Sequence, residues 1–232
     1  MRLITNESLI KRNATIGKYT AIGGMAVLIG GLLISLFKKE PEWQLVPFIT
    51  LIIGFILSNV GIYMSNRYVR PPRPDQVLDN ALKGFDDRYY LYHYRAPTPH
   101  VLICPAGVFA FVLKFQPGEV SWDGKRWRQA KGGNFLLSLF GQESLGNPNA
   151  EAAGEVEALS RFLAKKIGAD VPPVQAIIVF YNPNVTVNAK DAPLPALHVK
   201  QLKEHIRKLP KGPTLSADQI AKLDEAIGIA NL

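Results

Sequence analysis

The sequence predicts an α/β protein in two parts: a two-helix transmembrane hairpin, then a mixed sheet flanked by helices. Three observations carry that prediction. Residues 19–37 and 43–66 contain no Asp, Glu, Lys or Arg, and each stretch can cross roughly 30 Å of hydrocarbon at about 1.5 Å per residue. Only the short run Lys38-Lys39-Glu40-Pro41-Glu42 separates them, which returns the chain to its starting side. Beyond residue 74, short apolar runs alternate with amphipathic stretches and turn residues, as in sheets covered by helices.

Orientation follows from the cations, because short flanks rich in Lys and Arg stay cytoplasmic while Asp and Glu count for little. Arg2, Lys11, Arg12 and Lys18 precede the first span and Arg67, Arg70 and Arg73 follow the second, against Lys38 and Lys39 between them. Both ends are therefore expected in the cytoplasm, with the chain a multi-pass protein of the cell (inner) membrane and the lipid bilayer its first partner. A cleaved signal peptide competes for the first span, but the 18-residue lead and the lack of a small-x-small site before Lys38 argue against it.

The expected organisation is a cytoplasmic segment at 1–18, the hairpin at 19–66, a Pro-rich linker at 67–74 and a soluble domain at 75–232. The net charge of +8 invites a nucleic-acid reading, yet residues 1–74 hold nine Lys and Arg against three acids. The remainder holds eighteen against sixteen. Most of the excess is topology signal rather than a nucleic-acid footprint. The spans hold no ionisable group at membrane depth, as suits an anchor better than a transporter. Ala26 with Gly30, and Gly54 with Ser58, stand four apart and are candidates for close helix approach.

In the soluble part, residues 75–84 read as a short helix with Leu78 and Leu82 on its apolar side. Residues 88–95, 101–105 and 108–115 read as consecutive antiparallel strands. Asp123-Gly124 reads as a two-residue type I′ turn, which pairs Trp122 with Lys125, Val120 with Trp127 and Glu119 with Arg128. Val120, Trp122 and Trp127 then share a packing face, and Arg126 and Arg128 the other. Residues 131–147 form a polar stretch with an apolar insert at 135–140, readable as a lid, a short helix or a membrane-touching loop. A helix over 149–167, a buried strand over 174–181, a short strand over 185–188 and a helix over 197–209 follow. Ser216-Ala217-Asp218-Gln219 is a capping box opening a last helix.

The run His100-Val-Leu-Ile-Cys-Pro-Ala-Gly-Val-Phe-Ala-Phe-Val-Leu-Lys114, with Gly118, Trp127 and Asn147-Pro148, resembles the nuclease-related domain (NERD) family. That resemblance covers about residues 86–209 and implies a restriction-endonuclease-like fold. The family would place an acid at the start of the second strand, Glu-x-Lys on the third and a glutamine after Asn-Pro. On this chain the acid positions fall at Pro99 and Val112, leaving Lys114 of the triad, and Glu151 stands near the glutamine position.

Mg²⁺ takes an octahedral set of hard oxygen ligands, and proline and valine offer no side-chain oxygen. The sequence therefore leans towards a catalytically inactive binding or scaffold module with no cofactor, acting on an unknown protein partner. The alternative is a divergent Mg²⁺-dependent nuclease whose acids have moved to Glu119, Asp86, Asp87 or Glu151. Lys114 has two readings: a phosphate holder, or a strand-end lysine whose stem lies on apolar surface with its ammonium in water. Lys125, Arg126, Arg128 and Lys131 form the patch that fits nucleic-acid phosphates or anionic lipid headgroups. His93, His100, His198 and His205 lack metal-ligand spacing, and Cys104 reads as a core thiol.

Overall fold

The computed structural model describes residues 1–130, 144–209 and 215–228. It divides into two units, Met1–Asn6 with Pro74–Leu232, and Glu7–Arg73. That division corrects the expected boundaries. The first residues are not a free lead: Arg2–Thr5 form a strand (β1) in the sheet of the unit that includes Pro74–Leu232, and helix α1 starts directly after it at Glu7–Phe37. The apolar hairpin is thus an insertion between the first strand of the domain and its first helix.

Within the Glu7–Arg73 unit, α1 and a second helix, α2 (Val46–Tyr68), are long and apolar enough to cross a membrane. They lie against each other along glycines spaced by seven, Gly17, Gly24 and Gly31 on α1 and Gly54 and Gly61 on α2. A seven-residue repeat keeps one seam facing the partner when the helices coil slightly. A Cβ on Gly24 would lie 2.7 Å from the Ser58 backbone nitrogen, and one on Gly61 would lie 2.6 Å from the Ala21 Cα. The Gly54 and Ser58 pairing holds, whereas Gly30 faces open space. Gly30 is one position off the seam, so its spacing from Ala26 carried no packing information.

In the other unit a six-stranded sheet runs β1-β2-β3-β4-β7-β9, with β2 Tyr90–His93, β3 His100–Cys104, β4 Gly107–Lys114, β7 Val174–Phe180 and β9 Ala196–His198. The β2-β3-β4 meander is antiparallel as expected, while β1 with β2, β4 with β7 and β7 with β9 are parallel. Alternation along β4 sends Phe109, Phe111 and Leu113 to one face, where they meet Leu78 and Leu82 of α3 (Pro74–Leu82). Val108 and Ala110 go to the other face, against Leu159 and Leu163 of α4 (Pro148–Ile167). Helix α5 (Val199–Lys208) joins α3, and α6 (Ala217–Gly228) joins α4, so both sheet faces are covered. The mixed sheet flanked by helices is therefore observed. Residues 197–198, read as helix from the sequence, belong to edge strand β9, and His198 caps α5.

A second sheet, β6-β5-β8, is formed by β5 Gly118–Trp122, β6 Trp127–Gln129 and β8 Val185–Asn188. Its hairpin differs in register from the sequence reading: Trp122 pairs with Trp127 and Ser121 with Arg128. The turn is centred one residue later, on Gly124-Lys125, because the Asp123 carboxylate accepts from the Lys125 and Arg126 amides at 3.0 and 2.8 Å. An aspartate that captures amides two and three residues on belongs before the turn. Gly124 at φ +91 then takes the first central position, as in a type II′ turn. The packing face survives the shift: Trp122 and Trp127 rings meet edge-on at 5.6 Å, and Trp127 lies 5.9 Å from Phe180.

Two tests follow from this architecture. Joining Asn6 to Pro74 with a flexible Gly/Ser linker keeps β1, whereas a chain starting at Pro74 loses its hydrogen bonds to β2. At about 1 kcal/mol per bond, urea unfolding should find the second chain less stable by about 2–4 kcal/mol. Equal midpoints would exclude a structural role for β1. Separately, Gly24→Leu and Gly61→Leu should disrupt hairpin pairing in a cysteine cross-linking assay, with overpacking costs of about 1–3 kcal/mol, while Gly30→Leu should leave it intact.

Candidate functional site

The sheet end at Lys114 gathers the residues that matter. Strand β4 carries Val112 and Lys114 on one face, two residues and about 6.6 Å apart along the strand. The β3-β4 ladder ends at the Val101–Ala110 pair; Val112 lies two residues beyond that pair on β4, and Pro99 two residues before it in the chain leading into β3. The two positions that the family resemblance assigns to acids thus lie past the same end of that ladder. Neither carries an oxygen-bearing side chain. Val112 is buried in a cluster with Trp127, Ala152 and Phe180, and Pro99 contributes its carbonyl to the Tyr94 amide at 2.7 Å.

Lys114 is 7% exposed, which overturns the picture of an ammonium in water. Its Nζ donates to a Glu151 Oε1 at 2.5 Å and to the Leu145 carbonyl at 3.0 Å. A buried ammonium without partners costs several kcal/mol, so this lysine is held by one charge and one dipole. Glu151 comes from the first turn of α4, where a carboxylate also complements the helix dipole. Asn147 caps that helix by accepting from the Ala150 amide at 3.2 Å, and Pro148 follows with its fixed φ. Gly146, at φ +63, leaves room for the carboxylate: a Cβ there would stand 3.0 Å from the Glu151 Oε1.

Two further side chains, one bonded to that loop and one to α4, were not legible in the sequence. Gln116, two residues beyond Lys114, donates to the Ser144 carbonyl at 3.3 Å. Thr98, buried beside Pro99, donates to the Glu155 carbonyl one helical turn past Glu151, at 2.9 Å. Both are ordinary polar residues in sequence, and only the fold gives them carbonyl partners.

Of the acids considered as relocated ligands, Glu151 alone reaches Lys114 among the described contacts. Glu119 accepts from Asn188 at 2.6 Å rather than pairing with Arg128. Asp86 chelates Arg88, whose hydrogen bonds hold its pKa below the ordinary 3.8, and Asp87 lies 3.4 Å from the Met1 amino group. Among the described residues no group of three or more His, Cys, Asp or Glu has the arrangement of a metal site. The donor set at Lys114 is one carboxylate already matched by an ammonium, which does not fit the octahedral oxygen shell of Mg²⁺.

The basic hairpin is less basic than its sequence. Arg128 binds the Asp123 carboxylate at 2.6 Å and Arg126 approaches it at 3.8 Å. Amide bonds from Arg126 and Lys125, with the Arg128 guanidinium, lower the Asp123 pKa to about 2. This depressed carboxylate favours the folded hairpin above the ordinary pKa of 3.8, and that contribution fades as pH falls towards 2. Lys125, Arg126 and Arg128 remain solvent-exposed. Lys131 and the 135–140 insert lie outside the described residues.

A histidine pair that spacing alone did not suggest lies behind the sheet. His93 accepts or donates through Nδ1 to His100 Nδ1 at 2.8 Å, and its Nε2 meets Asp79 at 2.9 Å. His93 is fully buried, so one ring must present a bare Nδ1 to an Nδ1–H of the other. Cys104 is a buried free thiol whose pKa burial pushes up to about 11, in keeping with a core residue.

Against this geometry, no family model, no curated protein and no solved structure matches the chain.

The ion pair makes an asymmetric prediction, because Lys114 is buried while the Glu151 side chain is 45% exposed. Glu151→Gln strands a buried ammonium and should cost about 1–3 kcal/mol in denaturant unfolding. Lys114→Met leaves a carboxylate that water can reach and should cost less than about 1 kcal/mol. The reverse order would show that Glu151, not Lys114, is the group the fold protects.

Proposed function

We propose that the chain is a membrane-anchored protein whose cytoplasmic α/β domain, NERD-like by resemblance, works as a binding or scaffold module without metal-dependent nuclease activity. The observation that carries this reading is the ion pair of the buried Lys114 with the half-exposed Glu151. The one motif lysine is occupied by a carboxylate and a carbonyl, and the two acid positions hold a buried valine and a proline, which offer no side-chain oxygen. An anchored position is supported by two apolar helices of sufficient length. A two-span path with both ends cytoplasmic is supported by the cation bias and by the insertion, since the hairpin leaves and rejoins one folded unit.

The surface best suited to a partner is the exposed face of the β5-β6 hairpin, where Lys125, Arg126 and Arg128 meet solvent and Asp123 offsets one of them. A face of this kind takes a polyanion through its phosphates. One observation favours a second reading, a divergent nuclease: Glu151 does stand beside Lys114, as a relocated acid would.

The deciding experiment uses the full chain in detergent or nanodiscs, with DNA and RNA, and Mg²⁺ or Mn²⁺. The expected result is no metal-dependent cleavage, with salt-sensitive polyanion retention weakened by Arg126→Ala with Arg128→Ala. The logarithmic salt slope should fall by about two phosphate contacts. Cleavage abolished by Lys114→Ala or Glu151→Ala would overturn the module reading in favour of the nuclease, and retention by anionic vesicles alone would reassign the basic face to lipid.

A further inference from the structure

The helical hairpin holds a cavity of about 650 Å³ at its turn end, open to the outside between α1 and α2. Its position follows from the seam. At Gly31 the helices touch so closely that a Cβ would overlap the Thr50 hydroxyl. From there towards the connection α1 runs on through Phe37, and the chain turns through a 3₁₀ segment at Pro41–Trp43 before α2 begins at Val46. A wedge opens alongside the Gly31–Thr50 contact, reaching from Leu28 and Leu51 to Lys39 and Trp43 at the connection.

The wedge is chemically divided. Leu28, Leu32, Pro47, Phe48 and Leu51 make its apolar walls. Lys38, Lys39, Gln44 and Trp43 stand at its mouth. The Lys38 ammonium lies 5.9 Å from the centroid of the Trp43 ring, a cation–π contact that keeps the charge at the rim. Glu40 and Glu42, the two acids of the connection, are not among the lining residues. From Leu28 to the end of α1 at Phe37 the helix rises nine residues, about 14 Å, with Lys38 and Lys39 just beyond it. That matches one leaflet, half of a hydrocarbon core of roughly 30 Å.

We propose that this wedge binds one anionic phospholipid, its acyl chain against Leu28, Leu32, Phe48 and Leu51 and its phosphate at Lys38, Lys39 and Gln44. The argument for this occupant is charge and depth together: an apolar slot one leaflet deep, rimmed by two lysines and an amide donor. The site rests on the membrane reading proposed for the hairpin. It is distinct from the basic hairpin of the soluble domain.

The test is native mass spectrometry of the full chain, purified in mild detergent with an equimolar mixture of phosphatidylglycerol and phosphatidylcholine of identical acyl chains. Wild type should retain phosphatidylglycerol over phosphatidylcholine by about thirtyfold, the scale expected of two lysines at an anionic surface. Lys38→Gln with Lys39→Gln should bring that ratio to near one. Ser35→Trp, which fills the wedge without removing charge, should lower retention of both lipids. Arg67→Gln with Arg70→Gln, at the other end of the hairpin, should leave the ratio unchanged. Equal retention of the two lipids by wild type, survival of the preference without the two lysines, or its displacement by millimolar inorganic phosphate would overturn the site. Alkaline carbonate extraction separates this from the anchor itself. Release of the chain from membranes overturns both readings, whereas a chain that stays in the membrane but shows no preference overturns the lipid site alone.

Discussion

The parallel pairing of β1 with β2 is the constraint on which the rest of the architecture depends. Arg2 to Thr5 lie beside Tyr90 to His93, with about eighty residues of chain between the two strands. The apolar hairpin occupies most of that interval, so it is an excursion from a sheet rather than a leader in front of one. An excursion that begins at Asn6 and ends at Pro74 must contain an even number of membrane crossings if it crosses at all, because both ends are tied to one folded unit. Loop-closure entropy rises only as the logarithm of loop length, and two helices that pack on each other shorten the effective loop further. The glycine seam therefore serves the sheet as well as the hairpin. Holding α1 and α2 together brings the first strand back within reach of the second.

The two units solve burial with opposite chemistry. Between α1 and α2 the contact is made by removing side chains, since glycines at Gly24, Gly54 and Gly61 let backbone approach backbone where dispersion and close packing do the holding. Across the sheet the contact is made by filling space. Phe109 and Phe111 load one face, while small residues at Ala110, Ala152 and Ala176 let α4 lie close on the other. In that second setting Lys114 is an anomaly, a cation among packing residues, and its satisfaction by Glu151 and the Leu145 carbonyl explains why the 144–147 loop and the first turn of α4 are shaped as they are. Asn147, Pro148 and Gly146 each serve a helix start that delivers a carboxylate to one ammonium.

Much of the fold was legible because its signals are periodic. The charge-free spans, the β2-β3-β4 meander, the amphipathic α4 and the capping box of α6 all announce themselves through spacing. What was missed lacks spacing to read. Strand β1 is four residues long and merges into a helix, so no alternation marks it, and β9 is three residues long against the start of α5. The hairpin register slipped by one residue because Asp-Gly suits two turn positions, and only the side-chain bonds of Asp123 to two amides decide between them. For the site, sequence placed Lys114 on the correct face of β4 but not its burial, which depends on a loop thirty-one residues away. The Asp79–His93–His100 chain joins one helix and two strands, and contacts across three elements leave no trace in local pattern.

The arrangement at Lys114 also bears on how readily a metal site could be built at this end of the sheet. A carboxylate at the Val112 position would enter an apolar cluster of Trp127, Phe180 and Ala152, where an ionised group costs several kcal/mol unless paired. The nearest cation on that face is Lys114, and it is already neutralised by Glu151. The new acid would either compete for that ammonium or stay protonated, and neither state supplies a metal ligand. A second acid at the Pro99 position, past the same end of the β3-β4 ladder, would add a further like charge that disfavours ionisation of the first. Gain of a metal site therefore requires two simultaneous substitutions and the release of Glu151 from Lys114, with each single step destabilising. The packing around Val112 therefore opposes each single step towards such a site.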